Sequence, residues 1–341
     1  MSYKKILLIC RDYSKTPIVK WYAELMQERG IIVKENIYDK NRKKNRLDFI
    51  YNSIKSVVFE SNKNDLVLCV GFQSLPVLIL SWFFDRAWVY WKLESPKAFD
   101  NWSLVLKLQL IEWIINRNSV LLVLPSFERL KIQKPSFSKS HIVYNAPTSF
   151  FIDKIKSRLE ISDHEKCKSF VLYGNLAKGS VYLDEWIEFF TDIYCDAREF
   201  ELTLIGRSFN NQFKGISKNI SYLGEISHSD LISKLSSGFG YSLVGYKATS
   251  QNTIYAAPNK LLESLSCGIP IIGHYGNPYV KEIVEKYNCG FLIDFENISY
   301  SEIKSNILNW DFHRKSTLVA ARAMALDMSI KESILDVGQD L

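Results

Sequence analysis

Residues 257–273 read APNKLLESLSCGIPIIG. A Pro, a Lys and a Glu occupy the first turns of a short helix, Gly268 and Pro270 stop it, and IPIIG then reads as a buried strand. Lys260 sits at the helix mouth and Glu263 three residues on, hence on the same face. A helix N-terminus offers free N–H groups and a positive dipole end, so it suits a diphosphate, and a lysine there adds a full charge. A carboxylate accepts hydrogen bonds well from the vicinal hydroxyls of a ribose. Together the two residues describe a nucleoside diphosphate held at a helix mouth. Spacing alone also fits an ion pair on a solvated helix surface.

The flanking sequence decides where this helix stands. Upstream, SFVLYGN (169–175), FELTLIG (200–206), NISYLG (219–224) and FGYSLVGY (239–246) are strand-like, with helical patterns at 183–194 and 229–237 between them. Downstream come PIIGHY (270–275), a helix ended by Gly290, and FLID (291–294). A similar alternation runs through the first half: KILLIC (5–10), a helix over 17–29, IIVKENIY, a helical pattern from Leu47 to Val58, DLVLCV (65–70), an apolar helix near 74–84, AWVYWKL (87–93), a helix with a wide apolar face from Trp102 to Ile114, SVLLVLP and SHIVYNAP. Strand–helix alternation in two series implies α/β architecture, with two Rossmann-like domains facing a cleft and parallel sheets flanked by helices.

The polar stretch 153–168 separates the series. The expected division is therefore residues 1–150 and 151–315, with a helix over about 316–341 crossing back onto the first domain. In open parallel sheets ligands bind beyond the carboxyl ends of the strands, so the residues just after each strand carry the function.

Composition narrows the classes further. The 341 residues carry a formal net charge of +6, and 47% are apolar, enough for two cores. The charge is uneven: residues 1–150 hold 23 Lys and Arg against 13 Asp and Glu, a net of +10, leaving −4 for the remainder. The basic run KNRKKNR (40–46) lacks interleaved stacking aromatics and any recognition motif, which argues against nucleic acid. Six scattered cysteines without a C-x-x-C pair fit buried thiols in a reducing compartment, and the N-terminal apolar run is too short for a signal peptide or a membrane span. A cytoplasmic location is expected. No G-x-G-x-x-G, Walker loop, D-x-D, H-E-x-x-H or G-x-S-x-G occurs, and the five His have no metal-ligand spacing. Dinucleotide oxidoreductases, P-loop enzymes, metallohydrolases and serine esterases drop out, and no cofactor or dedicated metal is expected.

PNKLLESLSCGIPIIG resembles the sugar-nucleotide signature of GT-B-fold glycosyltransferases, a Pro-x-Lys-Leu-x-Glu helix followed by a small-residue turn, Gly-x-Pro and a strand. YGNLAKGS (173–180), LTLIGRS (202–208), ISYLGEISHSDL (220–231) and NPYVKEIVEKYNCGFLID resemble further elements of the family's nucleotide domain, in the right order, over roughly 165–300. The first half matches in architecture only. The resemblance implies transfer of a sugar from a nucleoside-diphosphate sugar, a UDP-sugar by family frequency, to a glycan or lipid-linked acceptor in surface polysaccharide synthesis. By it, Lys260 contacts the pyrophosphate and Glu263 the ribose, Lys178 and Arg207 add charge at the phosphates, and the backbone from Tyr222 to Glu225 meets the base. Gly245, Tyr246, Tyr255, Pro258 and Asn259 line the donor pocket. Tyr255 stands where many retaining members carry a Glu, eight residues before the ribose Glu, and Asn175 where an Arg is frequent.

Departure of the diphosphate needs charge stabilisation, and an inverting reaction needs a base at the acceptor hydroxyl. Without D-x-D, the lysine and the helix dipole take the place of a divalent ion. Glu94, after VYWKL, is the preferred base and Asp12, after ILLICR, the second. His274 is read as structural. Trp82, Phe83, Phe84, Trp102 and Trp113 in a basic first domain suit peripheral docking at an anionic membrane surface, although core packing explains them equally well. Two other readings stay open: a non-catalytic sugar-nucleotide binder, from Tyr255, and a sugar-nucleotide epimerase, for which no carboxylate pair is evident.

Overall fold

The computed structural model describes residues 5–11, 17–38, 46–62, 65–71, 74, 77, 87–92, 121–133, 140–156, 164–176, 179, 181–191, 199–207 and 217–330, and all statements below concern these. The chain divides into unit 1, residues 1–148 with 326–341, and unit 2, residues 149–325.

In unit 1 the strands β1 (Lys5–Arg11), β2 (Ile32–Tyr38), β3 (Leu66–Val70), β4 (Ala87–Trp91), β5 (Leu121–Leu124) and β6 (Ser140–Ile142) form one sheet. All pairs are parallel, in the order β2-β1-β3-β4-β5-β6. The continuous apolar runs follow from burial on both faces. Ile6, Leu8 and Cys10 enter one cluster with Tyr22 and Met26 of α1 (Pro17–Glu28), while Leu7 and Ile9 enter another with Phe49 of α2 (Arg46–Lys55). Pro17 opens α1 at the position where a missing N–H costs nothing. The short α3 (Phe127–Gln133) follows β5.

Unit 2 begins with α4 (Ser149–Lys156) and builds a second parallel sheet from β7 (Ser169–Asn175), β8 (Glu201–Arg207), β9 (Ile220–Tyr222), β10 (Tyr241–Val244), β11 (Ile271–His274) and β12 (Gly290–Ile293). Their order, β12-β11-β10-β7-β8-β9, is that of a doubly wound nucleotide-binding sheet, and it reverses between β7 and β10. Alternate residues of β7 again serve two cores: Phe170 and Leu172 on one face, Val171 and Tyr173 on the other. The helices are α5 (Leu183–Thr191), α6 (His228–Ser236), α7 (Gln251–Ile254), α8 (Asn259–Ser266), α9 (Pro278–Tyr287), α10 (Tyr300–Ile307) and α11 (Trp310–Ala323).

The stop at the end of α8 has a definite geometry. Gly268 is left-handed (φ 71°), its N–H bonds the Leu265 carbonyl at 3.0 Å, and the Ile269 N–H bonds the Ser264 carbonyl at 2.9 Å. This pair of bonds is a Schellman ending, which favours Gly at the left-handed position. At the other end of the sheet, β7 and β8 approach so closely that a Cβ on Gly206 (φ 141°) would collide with the Gly174 carbonyl.

The return to unit 1 starts at Leu326 with α12 (Leu326–Ile330), not near 316. Helix α11 stays with unit 2 because its buried face is committed there: Trp310 Nε1 donates to the Gly240 carbonyl at 2.8 Å, and Tyr241 Oη lies 3.0 Å from His313 Nδ1. In unit 1, the Leu326 N–H bonds the Pro147 carbonyl (3.1 Å), and His141 Nε2 meets the Ser329 carbonyl (3.0 Å).

Candidate functional site: the mouth of α8

Helix α8 enters from the carboxyl side of β10, beside the point where the strand order reverses. Pro258 is its N-cap, and residues 260–266 are all buried, which is unusual company for a lysine and a glutamate. The first turn is pinned to β7: Tyr173 Oη donates to the Lys260 carbonyl (2.8 Å) and lies 3.0 Å from Ser264 Oγ. Burial raises the Tyr173 hydroxyl well above its ordinary range, and the Glu263 charge adds to that, so it stays protonated.

Lys260 is only 6% exposed, yet it forms no ion pair with Glu263 or any other described carboxylate. Its ammonium stands over the Tyr246 ring, 4.6 Å from the centroid. Desolvation lowers its pKa to about 8. A ring face returns only part of what desolvation costs a cation, so the site holds positive charge in search of an anion. The surface ion pair that the spacing also allowed is not formed.

Glu263, 5% exposed, turns instead to His228, the first residue of α6, whose Nε2 is 2.9 Å from Oε1. Its Oε2 makes no hydrogen bond among the described residues. Tyr246, which follows Gly245 at the end of β10, has its hydroxyl pushed up to about 12 by burial first and by the Glu263 charge second. Within one turn of helix there stand, among the described residues, a cation without an ion-pair partner and a carboxylate with one oxygen unbonded, an arrangement with room for both an anionic and a hydroxyl-bearing group.

The remaining expected residues are distributed along the carboxyl edge of the same sheet. Asn259 opens α8 half-buried, and Tyr255 caps the one-turn α7, also half-buried. Arg207 ends β8 exposed, paired in register with Asn175 of β7. Tyr222 ends β9, and its hydroxyl donates to the Gly206 carbonyl at 2.9 Å, tying two strand ends together. Lys178, Asp12 and Glu94 lie outside the described residues, as do Trp82, Phe83, Phe84, Trp102 and Trp113. His274 is buried between the Phe295 N–H, donated to Nδ1 at 3.2 Å, and Tyr182 Oη, 3.0 Å from Nε2; burial holds its pKa below the usual imidazole value. Among the described residues no group of three His, Cys, Asp or Glu could hold a metal ion.

His228 and Tyr173 were not singled out from the sequence. Tyr173 reads as one more residue of an apolar strand run, and His228 lies 35 positions from its partner. The signal available for His228 was its place directly after Ser227, where a helix cap aims the first residue outward from a strand end.

Residues 171–320 match a family model described as glucosyltransferase 3-like, C-terminal domain. No curated relative matches the sequence. Among solved structures, the chain resembles Anabaena Alr3699/HepE in complex with UDP at 17% identity and a TM-score of 0.58, over 98% of this chain and 96% of that one. It resembles OtsA at 9% identity and a TM-score of 0.66, over 98% and 99%. TarM aligns at 14% identity and a TM-score of 0.60, over 88% of this chain and 59% of that one. These likenesses establish the fold, and the domain match lies on the unit that carries the α8 site. The chain has the two-sheet GT-B fold, and residues 171–320 of its second unit are similar to the glucosyltransferase 3-like C-terminal domain.

Proposed function

We propose that the protein moves a sugar from a nucleoside-diphosphate sugar, with a UDP-sugar as the favoured donor, to a glycan or lipid-linked saccharide acceptor. The observation that carries this reading is Lys260: a buried ammonium at the N-terminus of α8 that has no counter-ion among the described residues, beside a carboxylate with one oxygen that none of them bonds. In the reaction, Lys260 and the first-turn N–H groups stabilise the charge that grows on the departing diphosphate, without a dedicated metal. Glu263 orients the nucleoside through its ribose. Arg207, and Lys178 beyond the described residues, would add positive charge along the same edge. The UDP bound in the HepE structure supports uridine as the base.

Unit 1 would supply the acceptor side, with Glu94 or Asp12 as the base that takes the acceptor proton. No described helix is long and apolar enough to cross a membrane, so the reading for a lipid-linked acceptor is peripheral docking at the inner face of the cell membrane through the basic first half. The decisive test is calorimetric binding of UDP, GDP, CMP and ADP, with and without magnesium, to the wild type and to Lys260→Ala. One diphosphate should bind without metal, and the variant should lose about 1.5–3 kcal/mol, the size of a charge-assisted contact. Failure of every nucleotide to bind overturns the reading. Binding without any donor hydrolysis or transfer would leave a sugar-nucleotide-binding subunit, the alternative that Tyr255 raises.

A further inference from the structure

We infer that His228 is a positioning residue that sets Glu263 to read the ribose diol, so that discrimination between ribonucleotides and deoxyribonucleotides depends on a side chain that never touches the sugar. The inference rests on the proposed donor site and adds to it the source of its sugar-ring specificity.

A carboxylate as buried as Glu263 has to be held by something, because an unheld buried charge is costly and free to rotate or to take up a proton. The cation nearest in sequence, Lys260, does not hold it. His228 does, through Nε2 to Oε1 at 2.9 Å, from a different helix. The start of that helix is fixed locally: Ser227 Oγ accepts the Asp230 N–H at 3.1 Å, so α6 begins at His228 and delivers the imidazole at its first position.

The consequence is an asymmetric carboxylate. Oε1 has one lone pair taken by imidazole, and Oε2 has no protein donor among the described residues. A carboxylate sealed for structural reasons would have both oxygens satisfied, whereas this one is fixed in orientation and open on one side. Two neighbouring hydroxyls fill the open valences together. A nucleotide lacking one of them leaves a buried anionic oxygen unpaired, and polar sites reject analogues most strongly in that situation. The Tyr173 and Tyr246 hydroxyls, both raised in pKa by burial and by the Glu263 charge, remain neutral and do not compete for the imidazole as anions.

The experiment compares dissociation constants of UDP, 2′-deoxy-UDP and 3′-deoxy-UDP for the wild type, His228→Ala, His228→Gln and Glu263→Gln, with thermal unfolding as a check on folding. The wild type should prefer UDP to at least one deoxy analogue by about tenfold or more, the worth of a hydrogen bond to a charged group. His228→Ala should bring that ratio close to one, with the deoxy affinity staying within about threefold of wild type, as for a contact left untouched. His228→Gln, whose amide can still donate to Oε1, should restore most of the ratio. If His228→Ala weakens all three nucleotides equally and keeps the ratio, the inference is overturned and His228 is merely structural. A wild-type ratio near one overturns it as well. If Glu263→Gln also keeps the ratio, Glu263 does not read the ribose, and that part of the proposed function fails with it. No binding of UDP to the wild type would instead remove the donor site itself.

Discussion

Lys260 makes the energetics of the site measurable without knowing the substrate. Replacing it by Met keeps the length and apolar stem of the side chain and removes the charge. In the folded chain desolvation carries the ammonium from its ordinary pKa of 10.5 to about 8, which corresponds to about 3 kcal/mol of cost for keeping it charged. Part of the native environment still favours the cation, since the Tyr246 face 4.6 Å away contributes about 0.5–2 kcal/mol. That contact is lost in the variant, and the thioether does not replace it in full. Lys260→Met should therefore stabilise the ligand-free protein at pH 7 by about 1–3 kcal/mol, seen as a rise of several degrees in the thermal transition of unit 2. The sign with pH follows from linkage. Between pH 8 and 10.5 the unfolded chain binds more protons at this lysine than the folded one, so the wild type gains stability there as pH rises. The gap between variant and wild type should shrink over the same interval. Added UDP should reverse the ranking, because it raises the transition of the wild type far more than that of the variant. Denaturant and thermal unfolding at pH 7 and pH 10, each with and without UDP, measure all four corners. A ligand-free variant less stable than wild type at pH 7 would refute the reasoning, since it would mean that the ammonium is a satisfied structural partner.

Two further outcomes follow from the same geometry. A bound diphosphate supplies the missing counter-charge and returns Lys260 towards its ordinary pKa, so UDP affinity measured by calorimetry should hold steady below pH 8 and fall by up to about tenfold per pH unit above it; Lys260→Met should abolish that dependence. Gly268→Ala places a Cβ on a left-handed residue at the end of α8 and should cost about 1–2 kcal/mol in thermal unfolding, while an unchanged transition would show that the Schellman ending does not govern the helix stop.

The sheets were legible in the sequence because parallel strands buried on both faces leave uninterrupted apolar runs, and KILLIC and SFVLYGN are such runs. Their ends were less so. The stretch NISYLG contributes only Ile220–Tyr222 to the sheet, since the chain turns at Gly224 (φ 74°) and the carbonyl there is spent on the Gly206 N–H. Helix α7 leaves no trace in hydropathy: at four residues it has no apolar period to detect, and only the capping box, Ser250 Oγ accepting the Thr253 N–H and Thr253 Oγ1 accepting the Ser250 N–H, marks it. Boundaries of this sort are set by single hydrogen bonds, which leave little trace in hydropathy.

The site divides along the same line. Lys260 and Glu263 were visible because both lie on one helix, where spacing alone fixes which face they share. What spacing leaves open is whether two opposite charges one turn apart neutralise each other, and that depends on groups brought in by tertiary packing. Here His228, from α6, takes the carboxylate, and Tyr246, from the end of β10, takes the ammonium. Had the lysine reached Glu263 instead, the helix mouth would be electrostatically closed and the segment would be architecture. By engaging each charge separately and only in part, the fold keeps a cation and an anion side by side and, among the described residues, incompletely partnered; on the proposed reading the diphosphate and the ribose diol of one ligand would relieve both at once.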